Sequence, residues 1–572
     1  MKNNNFWLIL IISLAFVLRI VGLTYNPPSL NWDEISHGYN AYSLMTTGVD
    51  EWGQKFPIAN FRAYGDYPIP LNLYLTMPFI AAFGLTEFAI RFPHVILGVL
   101  TVLSSYFLAF GLTRRKDIGL MTALLIAIDP WTLFTSRFVL QSNLSIFFLV
   151  TSMAFFVQRE KGKWNLPLSF LSLGLTLFSY HSTRIVSPLI LLAMGFVYRK
   201  ELIGYFKKKT VQSNLSIVIL LLFFIPLPFI LLNPTARARS TQVFILNDAA
   251  IYSIEKSRNE SSLQSTLSKI VYNRPVYFFE EFGKNYIEYF SPQFLFLSGG
   301  TQYQFSIPNE GLLYLVELPF FYIGLFLLLL YFAYGKKEYQ FLLLWLLIAI
   351  IPAAITKEHY AVLRSSAMLP IPELLTAVGL FAFIDWFHKR GQNRINFKKH
   401  IIILFVVILV GSLCRYTYIY FNEYRTTYSS AWQYGYKEAV SYAKDHYNDY
   451  DQIIVTKKYG EPHEFFLFFG GELNAPWNWK PNDYRNDPNL IRYAQSDWFW
   501  VDRFDKFYFI NDWQMQDKIT EEKFITERKE LVDCSNKKCL LITSPGGFPP
   551  PWKKVDTIKF LDGATAFEIY QN

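Results

Sequence analysis

Charged residues are scarce in this 572-residue chain: Asp, Glu, Lys and Arg together make up 17%. A soluble domain carries about a quarter, so the deficit excludes a disordered chain and an ordinary cytosolic enzyme. Cysteine is scarcer still. Its three copies exclude a disulfide scaffold and any multi-Cys zinc site, and leave open whether Cys534 and Cys539 close one small loop. Walker-type phosphate loops, dinucleotide glycine patterns and Gly-x-Ser-x-Gly elbows are missing from suitable positions, which removes the support for ATP-driven transport. What is present is apolar: 52% of residues are hydrophobic and 18% aromatic, and they gather in runs about as long as a hydrocarbon core is thick. The class is a membrane protein.

The net charge of +9 is distributed in clusters between those runs: Arg114 to Lys116, Arg159 to Lys163, Arg199 to Lys209, Lys336 with Lys337, and Lys389 to Lys399. Such clusters mark cytoplasmic loops and argue against a nucleic-acid partner. The first run, over 6–23, lacks a small-residue cleavage site and reads as a retained span that starts in the cytoplasm. Residues 68–84 hold Pro68, Pro70 and Pro78, and a crossing there would carry every later basic cluster outside. That segment is therefore expected on the outer membrane surface.

The remaining runs alternate consistently, at 92–112, 118–135, 138–157, 166–180, 182–198, 214–232, 312–334, 341–355, 367–387 and 401–413. The expected fold is a mainly α-helical polytopic membrane protein of about eleven transmembrane helices, with a C-terminal extracytoplasmic α/β domain. A membrane domain over 1–418 carries outer loops at 24–91 and 233–311, and the α/β domain occupies 419–572. Strands are expected at 453–457, 507–511, 540–543 and 566–570.

Ionisable groups on the outer face or at membrane depth carry the functional signal. The first outer loop opens with Asn31-Trp32-Asp33-Glu34-Ile35-Ser36-His37-Gly38-Tyr39, two adjacent carboxylates at a helix start that Asn31 or Asp33 can cap. Neighbours at i and i+1 face different directions, so a shared-proton dyad is not expected. One acid fits the role of base, the other that of structural acceptor or metal ligand. The bland alternative is a solvated, dipole-compensating helix start.

The loop continues through Arg62-Ala63-Tyr64-Gly65-Asp66-Tyr67-Pro68-Ile69-Pro70-Leu71-Asn72-Leu73-Tyr74 and then Gly84-Leu85-Thr86-Glu87-Phe88-Ala89-Ile90-Arg91-Phe92-Pro93. The acidic pair after the first span, the Tyr-Pro-x-Pro-Leu-x-x-Tyr-type segment and the Gly-x-x-Glu-x-x-x-Arg-x-Pro entry into the next span together resemble the protein O-mannosyltransferase and aminoarabinose-transferase superfamily. That resemblance implies a C-type glycosyltransferase fold, a polyprenyl-phosphate sugar donor, and inverting transfer to an acceptor at the outer face. The acceptor is a lipid, a protein or a polysaccharide. It makes Asp33 the candidate base, with Glu34 as its catalytic companion, and marks His37, Arg62 and Asp66 as substrate-binding candidates. A positioned carboxylate suits deprotonation of an attacking hydroxyl, and an anionic phosphate leaving group needs only cations.

Cations recur where the chain is expected to turn over on the outer side: Arg137 with Gln141 nearby, His181 with Arg184, and His359 with Arg364. Arginine binds phosphate with a planar fork, so Arg137, Arg184 and Arg364 are candidates for the lipid phosphate. The segment His359-Tyr360-Ala361-Val362-Leu363-Arg364-Ser365, followed by Pro370, resembles an outer-loop segment of related bacterial transferases. Relatives often carry an acid near Gln141, a departure that leaves Asp129 as an alternative. The sequence singles out no cofactor. A divalent metal remains an option, with His37, His181 and His359 able to converge on Asp33 or Glu34, though no short His or Cys spacing supports it.

The middle loop offers Arg237, Arg239 and the aromatic run Tyr286, Tyr289 and Phe290. The C-terminal domain offers Trp432, Tyr434, Tyr436, Tyr459, Trp477 and Trp479, aromatic faces on which sugars pack. The reading from another class is a membrane transporter or lipid-sugar flippase. It expects matched repeats and midplane polar groups, and the chain shows no internal repeat.

Overall fold

The computed structural model describes residues 2–233, 242–390, 395–472, 476–495, 498–512, 523–546 and 552–572. Arg237 and Arg239 lie outside the described residues. The chain divides into two compact units, Met1–Val21 with His94–Thr417, and Gly22–Pro93 with Tyr418–Asn572. The segment after the first helix, expected to be a loop of the membrane domain, thus packs in the same unit as the C-terminal domain. Asn26 donates to the Tyr420 carbonyl at 2.7 Å, Tyr39 to the Trp479 carbonyl at 2.9 Å, and Arg485 to Ser43 at 2.7 Å.

The first unit is helical. Among the described residues six helices are long and apolar enough to cross a membrane: Glu87–Thr113, Val211–Leu232, Leu315–Ala333, Lys337–Ala354, Ile371–His388 and Lys398–Thr427. Asn5–Ile20, Gln141–Val157 and Thr183–Val197 are shorter apolar helices. The run expected over 118–135 is interrupted. Pro130 lacks an amide hydrogen, so the helix Lys116–Ile128 stops and a new turn, Pro130–Thr135, starts with proline in its first position. Leu318–Ala333 and Ile371–Arg390 approach backbone to backbone. A methyl on Gly324 would lie 2.0 Å from the Leu375 carbonyl oxygen, and one on Gly379 only 1.9 Å from that of Phe320. Small residues permit this contact where lipid supplies no hydrophobic drive between helices.

The second unit is α/β. Its strands are β1 (Gln452–Thr456), β2 (Ile491–Gln495), β3 (Trp498–Phe504), β4 (Phe507–Ile510), β5 (Lys523–Ile525), β6 (Leu531–Asp533), β7 (Cys539–Thr543), β8 (Lys553–Lys559) and β9 (Thr565–Gln571). Seven form one sheet in the order β2-β3-β4-β1-β7-β9-β8, with β1 parallel to β4 and β7 and the other pairs antiparallel. Strands β1, β4 and β7 are buried at every position, as central parallel strands must be. The four expected strands are β1, β4, β7 and β9. Strand β8 has no strand signature in the sequence, because its lysines protect an exposed edge and erase the alternating pattern. Cys534, just after β6, and Cys539, the first residue of β7, are joined by a disulfide buried in the core.

Helix Trp32–Thr47 lies in this unit, against helix Pro462–Glu472; a methyl on Gly38 would come within 2.7 Å of Phe468. Helix Leu71–Phe83, in the segment expected on the membrane surface, has 13 residues and holds Pro78. At about 20 Å it is shorter than a hydrocarbon core of about 30 Å.

Candidate active site

Asn31 caps helix Trp32–Thr47. Its side-chain oxygen accepts the Glu34 amide at 2.9 Å, and the Glu34 carboxylate accepts the Asn31 amide at 3.4 Å, a capping box. Asp33 and Glu34 therefore sit in the first turn, where the helix dipole favours negative charge, and point about 100° apart.

Glu34 points inward. It meets Arg91 through two parallel bonds of 2.8 Å, and both side chains are fully buried. The remaining Arg91 donors reach the carbonyls of Leu23, Pro27 and Ser29 at 2.6–3.1 Å, so all five guanidinium hydrogens are used. A planar fork matched to a carboxylate explains why arginine stands here rather than lysine. Of the two acids, Glu34 is thus the structural acceptor that anchors the helix start, not a group exposed to substrate.

Asp33 points outward and is exposed. The Tyr64 hydroxyl donates to its Oδ1, and the described residues place no hydrogen bond on Oδ2. Burial, followed by the nearby Asp33 charge, raises the Tyr64 pKa well above its usual value, so the phenol stays protonated and remains a donor. The Trp32 amide donates to Gln433 Oε1 at 2.7 Å, fixing the turn from outside. His37, one turn on, has Nδ1 at 2.8 Å from the Asp33 carbonyl. A carbonyl only accepts, so Nδ1 carries the hydrogen and buried Nε2 presents a lone pair. Burial lowers the His37 pKa and keeps the ring neutral near pH 7.

Tyr64 is held in an aromatic stack, 5.7 Å from both Trp32 and Trp498. Gly65 makes this possible: its φ is +99°, and a methyl there would sit 1.9 Å from the Trp498 ring. Gly65→Ala is expected to displace Tyr64 from Asp33 and to destabilise this unit by about 2–4 kcal/mol, read as a lowered unfolding midpoint.

Asp66 accepts the Tyr67 amide at 2.8 Å, and its charge reaches both His37 and Tyr64. Arg62 is exposed and lies over the Phe499 ring, 4.4 Å from its centroid. Asp33, His37, Asp66 and Tyr64 are therefore brought together, with Arg62 on a neighbouring aromatic surface. Tyr64 was readable only as part of a motif; nothing in its spacing marks it as the partner of Asp33.

The candidates in the first unit are placed differently from expectation. Arg137 is 1% exposed and donates to the carbonyls of Leu18, Arg19 and Val21 at 2.7–3.1 Å. It caps the end of the first helix, where carbonyls lack intrahelical partners. Arg184, also buried, donates to the Leu177 carbonyl at 3.2 Å. Both give donors to backbone carbonyls, as a buried guanidinium must satisfy its donors. Gln141 opens helix Gln141–Val157, and His181 lies in the turn before Thr183–Val197, its carbonyl accepting the Arg184 amide at 3.1 Å. His359 Nδ1 is 3.3 Å from Glu288. Arg364 pairs with Glu358 and donates to Thr356 at 3.4 Å. Asp129 is fully buried near two acids that no sequence pattern singled out, Glu317 and Glu373.

None of His37, His181 and His359 falls among side chains whose ligand atoms converge. Among the described residues that property belongs to Glu51, His463 and Glu464. Trp432, Tyr436 and Trp477 are core residues at 0%, 0% and 4% exposure, so they offer no sugar platform. Trp479 is half-buried and stacks on Tyr42 at 5.9 Å.

Comparison with known proteins adds an independent line. Residues 9–238 match the family described as dolichyl-phosphate-mannose-protein mannosyltransferase. A search of curated proteins by sequence returned no match. Among solved structures, ArnT from Cupriavidus metallidurans in the apo state superposes with a TM-score of 0.50 at 12% identity, over 99% of this chain and 98% of that one. The apo oligosaccharyltransferase of Archaeoglobus fulgidus gives 0.50 at 15% identity, over 82% of this chain; the chain spans 64% of that protein's length. Residues 9–238, about two fifths of the chain, are thus similar to that mannosyltransferase family, and the protein shares its overall fold with ArnT.

Proposed function

We propose that this protein transfers a sugar from a polyprenyl-phosphate donor to an acceptor hydroxyl at the outer membrane face, with inversion at the anomeric carbon. The observation that carries the reading is Asp33: an exposed carboxylate, oriented by the Tyr64 hydroxyl, on a helix start pinned by the buried Glu34–Arg91 pair. Asp33 accepts the acceptor proton as its oxygen attacks the anomeric carbon, and the bond to the lipid phosphate breaks on the opposite side. The leaving phosphate is already anionic, so no protein acid is needed, and no covalent protein intermediate forms. The family match supports a lipid-phosphate sugar as donor. The basic clusters support a cytoplasmic N-terminus and an extracytoplasmic C-terminal domain.

Arg364 is the cation we assign to the phosphate. It is part exposed, at 15%, and its partner Glu358 can be exchanged for a stronger anion, whereas Arg137 and Arg184 are committed to carbonyls. Arg364→Ala is expected to lower kcat/KM for the donor by about tenfold to a hundredfold, the worth of one charged hydrogen bond. Unchanged turnover would remove this assignment.

The physiological test is mass spectrometry of envelope lipids, glycans and proteins in a deletion strain. A sugar missing from one acceptor should return with the wild-type gene and not with Asp33→Asn. An unaltered envelope profile under expression conditions contradicts the reading.

A further inference from the structure

One cluster in the second unit buries three carboxylates together. Glu51, Glu461 and Glu464 are each at most 2% exposed, and His463 is 2% exposed between them. Glu51 comes from the short segment after helix Trp32–Thr47; His463 and Glu464 occupy the first turn of helix Pro462–Glu472. The guanidinium beside them, Arg492, donates to the Glu51 backbone carbonyl at 3.1 Å, and the nearby ammonium of Lys457 is taken up by Asp502 at 2.5 Å.

Hydrogen bonding leaves this cluster incomplete. Glu51 Oε1 accepts the Tyr484 hydroxyl at 3.2 Å, and Glu461 Oε1 accepts the Trp498 indole at 2.6 Å. The second oxygens of Glu51, Glu461 and Glu464 lack a well-formed hydrogen bond although they are buried, and the His463 ring makes only long contacts, Nε2 to Glu51 Oε1 at 3.3 Å and Nδ1 to Glu461 Oε2 at 3.5 Å. Buried polar atoms are rarely left so, since each forfeits its hydration without a replacement, the more so when charged.

The spacing identifies what is missing. Ligand atoms of Glu51, His463 and Glu464 all lie within 4.8 Å of one another. His463 Nε2 stands 3.3 Å from Glu51 Oε1, too long for a good charged hydrogen bond. Two ligands each about 2.0 Å from a tetrahedral centre are themselves about 3.3 Å apart. We infer that Glu51, His463 and Glu464 bind one divalent transition-metal ion. Two carboxylate oxygens and one imidazole nitrogen are a set for Zn2+ or Mn2+ rather than for Ca2+ or Mg2+, which take oxygen alone.

The ion would cross-link the Glu51 segment to helix Pro462–Glu472. Glu464 also reaches Ser36 on the helix that carries Asp33. The site is therefore a positioning device in the same unit as the proposed base, and it stands whether or not the proposed reaction is correct.

The test uses full-length protein purified in detergent without chelator. Elemental analysis should find about one Zn2+ or Mn2+ per chain. Stripping with EDTA should lower the unfolding midpoint by about 5 °C or more, and Zn2+ or Mn2+ should restore it. His463→Gln and Glu51→Gln should each abolish both the retained metal and the restoration. Should a variant misfold, Co2+ loading of stripped wild-type protein gives visible absorption bands diagnostic of a nitrogen- and oxygen-bound ion. Wild-type protein without stoichiometric metal, and without a response of its midpoint to Zn2+ or Mn2+, overturns the inference and leaves the cluster as a network of shared protons.

Discussion

Asp33→Asn is expected to lower kcat by about 10²–10⁴-fold while leaving the unfolding midpoint within the range of a neutral surface change. The asymmetry follows from the geometry. The substituted amide keeps an oxygen that can accept the Tyr64 hydroxyl, and the position is exposed, so little folding energy is at stake. What disappears is the proton acceptor. Donor binding should be unchanged, because the anionic lipid phosphate gains nothing from a carboxylate. A variant that folds normally and retains full turnover would remove Asp33 from the chemistry; one that loses donor affinity instead would make it a binding residue.

Breaking the pair beneath it should produce the opposite pattern. Arg91→Met strands the Glu34 charge at zero exposure and removes the donors that hold the Leu23, Pro27 and Ser29 carbonyls. The expected cost is about 3–5 kcal/mol, read as a large fall in the unfolding midpoint and in the yield of folded protein. Combining it with Glu34→Gln should recover part of the loss, since the uncompensated charge is then gone. Activity should track the folded fraction in both. A Glu34→Gln protein as stable as wild type but inactive would instead give Glu34 a chemical role.

Sequence and structure agree where a pattern is carried by burial periodicity or by backbone constraint. The helical, apolar character of the first unit, the helix start at Asn31 and the central strands β1, β4 and β7 are legible because each has a local physical signature, whereas the break at Pro130 inside one apolar run is not. The separation of Asp33 from Glu34 followed from their adjacency on a helix, although which of them turns inward depends on Arg91, more than fifty residues away. The surroundings of Arg137 and Arg184 are hidden from the sequence for a related reason. A lone arginine between two apolar runs looks the same whether it faces a phosphate or caps carbonyls, and only the fold shows the carbonyls of Leu18, Arg19 and Val21 around it. No sequence pattern marks His463 and Glu464, because their partner, Glu51, lies over four hundred residues away and completes no short spacing.

The central claim is transfer from a lipid phosphate. Purified protein in detergent, given a polyprenyl-phosphate sugar labelled in the sugar and an envelope fraction as acceptor, should release polyprenyl phosphate with matching appearance of label in the acceptor. The product should have the inverted anomeric configuration, and Asp33→Asn should abolish the release. Movement of intact labelled donor across a reconstituted bilayer, with no release of polyprenyl phosphate, would contradict the account and make the protein a carrier of lipid-linked sugar.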